Sequence, residues 1–314
     1  MNLKGRSLNN LFDLNIEEFN YILELAHQVK NEKKNNIFPK RLQNKNIALI
    51  FEKPSTRTRC SFIVAASDEG AHAEALSNTE IHLGEKESIE DTARVLGRIF
   101  DGIMFRGFKH KTLEMLIQHA NVPVWNALTD LHHPTQALAD IMTCQEYLGK
   151  LNRKKIVYLG NGDNNVTHSL IIASCMLGMH IVICCPDSFQ PDKEIIQQSI
   201  QIAKKTNGTI SVLSNPLEAV KNADCIYTDV WISMGDENKG NNEEKCKQLL
   251  PYQVNKKLML ATKNSECFVL HCLPAYKNME ISCDVFEENN KFIFDLAENR
   301  MHSIKAIMLA TLIN

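Results

Sequence analysis

Apolar residues recur along the chain in two rhythms, short unbroken runs and stripes at helical spacing. Ile16, Phe19, Leu23, Ala26 and Val29 share one helical face, with Asn15 before them and Glu18 placed to complete a capping box. The spacing therefore predicts a helix over 16–29. The unbroken run 47–51 predicts a buried strand. A helix then opens near Ser55 and closes at Gly70, a residue type common just past a helix end. Another starts at Ser88-Ile89-Glu90-Asp91, with Ile89, Ala93, Leu96 and Phe100 on one face. Strands over 103–105 and 122–125 flank a helix over 111–119, and a longer helix is expected over 135–148.

The alternation then restarts, with strands expected over 155–159, 180–185, 209–213, 225–228 and 268–270. Two runs of alternating strand and helix predict an α/β fold of two doubly wound parallel-sheet domains with helices on both faces. The expected division is 1–134 for the first domain, 135–149 for an interdomain helix and 150–296 for the second domain. A final amphipathic helix over 297–314 is expected to pack back on the first. The apolar stretch 170–185 is short for a bilayer and is interrupted by Ser174, Gly178 and His180, so it reads as helix then buried strand. The polar run 236–247 reads as a loop.

Composition narrows the possibilities. Lys plus Arg number 35 and Asp plus Glu 37, a near-balance that argues against nucleic acid or an anionic membrane as partner. With 314 residues, 44% hydrophobic and 23% charged, the chain has the make-up of a globular protein of about two domains. Ten cysteines are scattered without a Cys-x-x-Cys pair, and the N-terminus has no signal-peptide pattern. Reduced core thiols in a cytoplasmic protein are the expectation.

The polar clusters all fall where strands end. Glu52 to Arg59 follows the first strand, Arg106-Gly107 the next, and His133-Pro134-Thr135-Gln136 a third. In the second half, Gly160 to Asn165, Asp229 to Gly235 and His271-Cys272-Leu273-Pro274 hold the equivalent places. Ligands of open parallel sheets bind beyond the carboxyl ends of the strands, so a cleft between the two domains is the expected active site. Ser55-Thr56-Arg57-Thr58-Arg59 at a helix start offers free backbone N–H groups, hydroxyls and a guanidinium fork, which together describe a phosphate cradle. A capped helix with surface arginines is the plain alternative. His133, Gln136 and Arg106 suit an oxygen that acquires negative charge. Asp229 and Cys272 suit an amine. Gly160-x-Gly162-x-x-Asn165 lacks the third glycine of a dinucleotide fingerprint, although Asp187 stands near the position of a ribose-binding acid. No His/Cys set has zinc-like spacing, so no metal is expected.

Taken together, these motifs resemble those of ornithine carbamoyltransferases, within the aspartate/ornithine carbamoyltransferase superfamily, over nearly the whole chain. The resemblance implies transfer of the carbamoyl group of carbamoyl phosphate to the δ-amine of L-ornithine, giving L-citrulline and phosphate, with a role in arginine biosynthesis. It implies that Ser55, Thr56, Arg57, Thr58 and Arg106 hold the phosphate, and that Thr58, Arg106 and His133 polarise the carbamoyl oxygen. Gln136 and the Cys272 and Leu273 carbonyls would orient the carbamoyl nitrogen, and Arg300 would add a further contact to carbamoyl phosphate. Asn165, Asp229, Ser233 and Met234 match ornithine-holding positions, and Cys272 matches the residue that receives or orients the reacting amine. A homotrimer is implied, its loop 77–88 completing a neighbour's site. On that loop His82 stands where the family commonly has Gln, and its imidazole can still donate one hydrogen bond.

Positioning and electrostatics suffice for this chemistry, so no cofactor is expected. Aspartate as acceptor would call for cationic residues in the second domain, where the chain offers Asp229, Ser233 and Cys272. Putrescine would leave Ser233-Met234-Gly235 without a carboxylate to hold. A sensor that binds these ligands without turnover is the reading from another functional class.

Overall fold

The computed structural model describes residues 2–77, 81, 86–232 and 242–313. The chain forms two compact units, Met1–Met142 with Glu298–Asn314, and Thr143–Ala297.

The first unit contains α1 (Ile16–Lys34), β1 (Asn46–Phe51), α2 (Thr56–Asp68), β2 (His72–Ser77), α3 (Ile89–Ile99), β3 (Gly102–Arg106), α4 (His110–Ala120) and β4 (Val124–Leu128). Its four strands are parallel in the order β2-β1-β3-β4. Strand order reverses between β1 and β3, the kind of switch point where α/β sheets bind ligands. Ala48, Ile50, Ile103, Phe105 and Val124 pack with Ala93, Leu96, Leu113 and Leu116 into one core.

Helix α5 (Pro134–Leu148) begins in the first unit and ends in the second. The second unit continues with β5 (Lys155–Leu159), α6 (Asn165–Met176), β6 (His180–Cys184), α7 (Lys193–Thr206), β7 (Thr209–Leu213), α8 (Pro216–Ala219) and β8 (Cys225–Thr228). It ends with α9 (Asn242–Leu249), α10 (Lys256–Ala261), β9 (Phe268–His271), α11 (Cys283–Glu288) and the start of α12 (Asn290–Leu312). Its parallel sheet runs β7-β6-β5-β8-β9, again reversing beside the first strand of the set.

Several boundaries differ from the sequence reading, each for a physical reason. The edge strand β2 was not expected. Its residues are half-exposed, and His72-Ala73-Glu74-Ala75 carries too few large apolar groups to stand out. β4 starts two residues late because Pro123 has no N–H to give a ladder. α1 runs on to Lys34 through a polar last turn supported by a Gln28–Glu32 hydrogen bond and the Lys33–Asp68 ion pair. α12 starts at Asn290 instead of 297, and its first turns use Phe292 to stack on Phe268 and to meet Tyr147 edge-on. Residues 242–247 of the expected polar loop are helix α9, while 236–241 lie outside the described residues. The apolar stretch 170–185 is helix then strand, with every residue of α6 from Val166 onward buried. All ten cysteines are free thiols, six of them buried. Among the described residues no helix is long and apolar enough to cross a membrane.

The C-terminal part of α12 is tied into the first unit by polar bonds inside its core. Trp125 Nε1 donates to Thr311 Oγ1 at 2.9 Å, and Lys305, 2% exposed, reaches Asp68 Oδ2 at 2.7 Å. Lys33 holds the same carboxylate at 2.6 Å. Burial raises the Asp68 pKa, but the hydrogen bonds from Lys305 and Lys33 outweigh it and hold the group below the usual carboxylate value. Asp68 thus stabilises the fold above pH 3.8, and that contribution is lost as pH falls through its lower native value. Asp68→Asn strands a buried ammonium and should cost about 3 kcal/mol in urea unfolding at pH 7. A loss under about 0.5 kcal/mol would show the pair to be no better than a surface salt bridge.

Candidate active site

The first unit brings one group of the expected residues together at the carboxyl ends of β1, β3 and β4. Ser55 caps α2, its hydroxyl accepting from Thr58 N at 3.2 Å, with Thr56 exposed and Arg57 half-buried in the first turn. Arg106 ends β3 paired with Phe51, and is 3% exposed. Gly107 is required here: a Cβ would lie 2.3 Å from Glu52 Oε2, which must come this close to accept Phe108 N at 2.8 Å. That bond fixes the turn that follows Arg106. A cavity of about 520 Å³ lies beside the cradle, lined by residues that include Glu52, Ser55, Thr56, Arg59 and Cys60.

His133 is 4% exposed and sits just before α5. Burial pushes its imidazole well below the usual histidine value, and the charges of Arg300, Arg106 and Arg57 push it further the same way. The ring is therefore neutral at pH 7 and offers a hydrogen bond without a charge. Arg300 Nη1 donates to Gln136 Oε1 at 2.6 Å and Nη2 to Thr58 Oγ1 at 3.2 Å. Three guanidiniums thus act on one buried, neutral imidazole, a concentration of positive charge suited to a compact anion.

The second unit builds a site of opposite character. Thr228 pairs with Leu159 on one side and His271 on the other, so the residues after these strand ends stand side by side. Cys272 Sγ donates to Asp229 Oδ1 at 2.9 Å, and Val230 N donates to the same oxygen at 2.7 Å. Burial raises the Asp229 pKa above the usual carboxylate value, against the pull of His271, the Cys272 thiol and the Val230 N–H. The loop after β5 is shaped by Gly160 at φ +130°, a conformation side chains rarely adopt. Asn165 opens α6, which Asn164 caps by accepting from Thr167 N at 2.8 Å. Leu273 follows Cys272 at φ +58°.

Two partners of this site, Glu280 and Tyr158, are not legible in the sequence. His271 Nδ1 accepts from Leu273 N at 2.9 Å, so its Nε2 carries the proton toward Glu280 Oε1 at 3.1 Å, with both side chains fully buried. Tyr158, whose hydroxyl accepts from Asn164 Nδ2 at 2.8 Å, is pushed well above its usual pKa by burial and then by Asp229. Asp229, His271 and Cys272 each place one potential ligand atom within 4.8 Å of the others, a set spread over two strands that linear spacing cannot reveal. Both His271 nitrogens already serve the loop, which leaves two donors where a zinc site needs three or four. His82, Ser233 and Met234 lie outside the described residues.

Known proteins fit both halves. Residues 6–146 match the model of the aspartate/ornithine carbamoyltransferase carbamoyl-P binding domain, and 152–311 that of the Asp/Orn binding domain. A protein named "Ornithine carbamoyltransferase, catabolic" from Bacillus cereus is 51% identical, with 100% of this chain and 98% of the relative covered. An ornithine carbamoyltransferase from Pseudothermotoga lettingae is 50% identical, over 100% and 99% of the two chains. Among solved structures, the ornithine carbamoyltransferase of Pyrococcus furiosus superposes with a TM-score of 0.95 at 44% identity, covering 99% of this chain and 98% of that one. The anabolic ornithine carbamoyltransferase of Campylobacter jejuni gives 0.89 at 35% identity, covering 96% and 97%.

The three-guanidinium pocket makes a direct prediction for the unliganded protein. By NMR, His133 should titrate well below pH 6.5, and Arg300→Gln should move it back toward that value by removing one positive charge. An imidazole titrating at or above 6.5 would contradict the assignment of the pocket.

Proposed function

The chain belongs to the aspartate/ornithine carbamoyltransferase family, and on that premise we propose that it transfers the carbamoyl group of carbamoyl phosphate to the δ-amine of L-ornithine, giving L-citrulline and phosphate. The observation that carries the choice of acceptor is the Asp229 carboxylate with the Cys272 thiol at 2.9 Å. A buried carboxylate attracts an ammonium group and repels the second carboxylate of aspartate.

The residues divide the work by charge. Ser55, Thr56, Arg57 and Thr58 with Arg106 and Arg300 take the phosphate of carbamoyl phosphate, whose negative charge matches the positive pocket around His133. Free ornithine has an ammonium with a pKa of about 10.4, so binding must remove a proton before attack. Asp229, with its raised pKa, receives or passes on that proton, and Cys272 orients the amine. The nitrogen lone pair then forms the C–N bond and the carbonyl oxygen becomes anionic. Thr58, Arg106 and neutral His133 donate to that oxygen, a term worth about 2.7–4 kcal/mol for one well-placed donor. Collapse breaks the C–O bond to phosphate, and the leaving group keeps the electron pair and takes the second proton that the nitrogen loses as it becomes the amide of citrulline. Asn165, Ser233 and Met234 hold the α-amino acid end.

The mixed anhydride is the high-energy partner, so transfer onto the amine runs downhill, which supports a role in arginine biosynthesis. The Bacillus relatives carry the word catabolic in their names and pull toward citrulline breakdown. Ten free thiols suit a reducing cytoplasm. A homotrimer, with loop 77–88 and His82 serving the neighbouring site, is supported by the apolar surface of Ile63 and Val64 on α2 and Val95 and Ile99 on α3.

Phosphate release with ornithine, aspartate and putrescine as acceptors tests the assignment. Ornithine should be preferred by at least about 100-fold over aspartate. Asp229→Asn should lower kcat/KM for ornithine by about 100-fold or more while leaving carbamoyl phosphate binding intact. An equal loss for both substrates would misplace Asp229. For the biosynthetic role, the chain should restore growth without arginine to a host lacking its own ornithine carbamoyltransferase. Failure to do so by protein that is active in the assay would point to the breakdown direction.

A further inference from the structure

Gln136 is the side chain expected to face the carbamoyl nitrogen, and for that its amide must present oxygen, not nitrogen. A free glutamine amide has no such preference. Two neighbours set it here. Arg300 Nη1 lies 2.6 Å from one end of the amide, and Asp140 Oδ1 lies 2.8 Å from the other. A guanidinium only donates and a carboxylate only accepts, so both demand the same orientation. Turning the amide over would set N–H against N–H at Arg300 and oxygen against oxygen at Asp140. Asp140 is fully buried on α5, one turn beyond Gln136, where water cannot stand in for either bond.

We infer that Asp140 is a positioning residue that locks the Gln136 amide with its carbonyl oxygen toward the carbamoyl nitrogen. The inference rests on the carbamoyl phosphate reading above and assigns it an orientation device. Arg300 bridges the two ends of that ligand's site: one arm goes to Gln136 and the other to Thr58 in the phosphate cradle. Within this relay Asp140 bonds Gln136, at the carbamoyl end. Its loss should therefore damage recognition of the carbamoyl group and spare recognition of phosphate.

The test compares carbamoyl phosphate with inorganic phosphate as ligands of the full-length enzyme. Asp140→Asn should raise KM for carbamoyl phosphate about tenfold or more, because the asparagine presents donor or acceptor equally and one of the two constraints is lost. Inhibition by inorganic phosphate and KM for ornithine should stay within about twofold. If that variant does not fold, Asp140→Ser is measured in the same way. A second arm reverses the sign. Gln136→Glu sets two carboxylates together in a buried site and should be nearly inactive. Adding Asp140→Asn there restores one donor and one charge and should raise activity again.

Equal weakening of phosphate and carbamoyl phosphate, or a further fall in activity when Asp140→Asn joins Gln136→Glu, would reduce Asp140 to a packing role and overturn the inference. Wild-type protein that turns over no carbamoyl phosphate would instead overturn the proposed function itself.

Discussion

Three guanidinium groups held around a buried imidazole are the constraint on which the rest of this molecule depends. Arg57, Arg106 and Arg300 all depress the proton affinity of His133, so their fields overlap at one point that water reaches poorly. Positive charge so concentrated is costly to a fold unless an anion completes it. The chain supplies it from three separate places: a helix start, a strand end and the C-terminal helix. The C-terminal helix must accordingly be fixed firmly, and Lys305 on Asp68 and Trp125 on Thr311 do so from within the same unit.

The second unit answers with the opposite charge. Its carboxylate, Asp229, is kept near-buried and bonded to the Cys272 thiol, with the loop after Cys272 braced by the His271–Glu280 pair. A concentration of positive charge in one unit and a carboxylate–thiol pair in the other, each at the carboxyl edge of its own parallel sheet, supply the two kinds of charge that the proposed joining of an acyl phosphate to an amine requires. Neither half needs to change its covalent structure. The work assigned to the protein is to hold charge, exclude water and take one proton.

Much of this was legible in the sequence because parallel sheets write their strands as unbroken apolar runs and leave polar residues at the ends. Ser55 to Thr58, Arg106, His133 and Gln136 stood out on that ground, and the first unit brings them together. Asp229 and Cys272 stood out likewise, and the structure joins them by a hydrogen bond just past the ends of two neighbouring strands. What stayed hidden depends on distance along the chain or on burial. Arg300 was placed by resemblance alone, because nothing local reveals that it will meet Thr58, 242 positions earlier. Asp140 reads as one more polar residue on a helix until its bond to Gln136 is seen. Glu280 looks like a surface acid nine positions after His271, yet it is fully buried against it. β2 escaped because an edge strand with small residues has little hydrophobic signal to offer.

The central claim is that the anion site and the carboxylate–thiol site serve one pair of reactants. Calorimetry with a single molecule that joins a phosphonate to ornithine through an acetyl link addresses it directly. Arg57→Ala and Asp229→Asn should each weaken binding of that molecule by more than about tenfold, since each removes a charge that holds one end. Binding that falls in one variant and is untouched in the other would mean that the two sites act apart, and the account would be wrong.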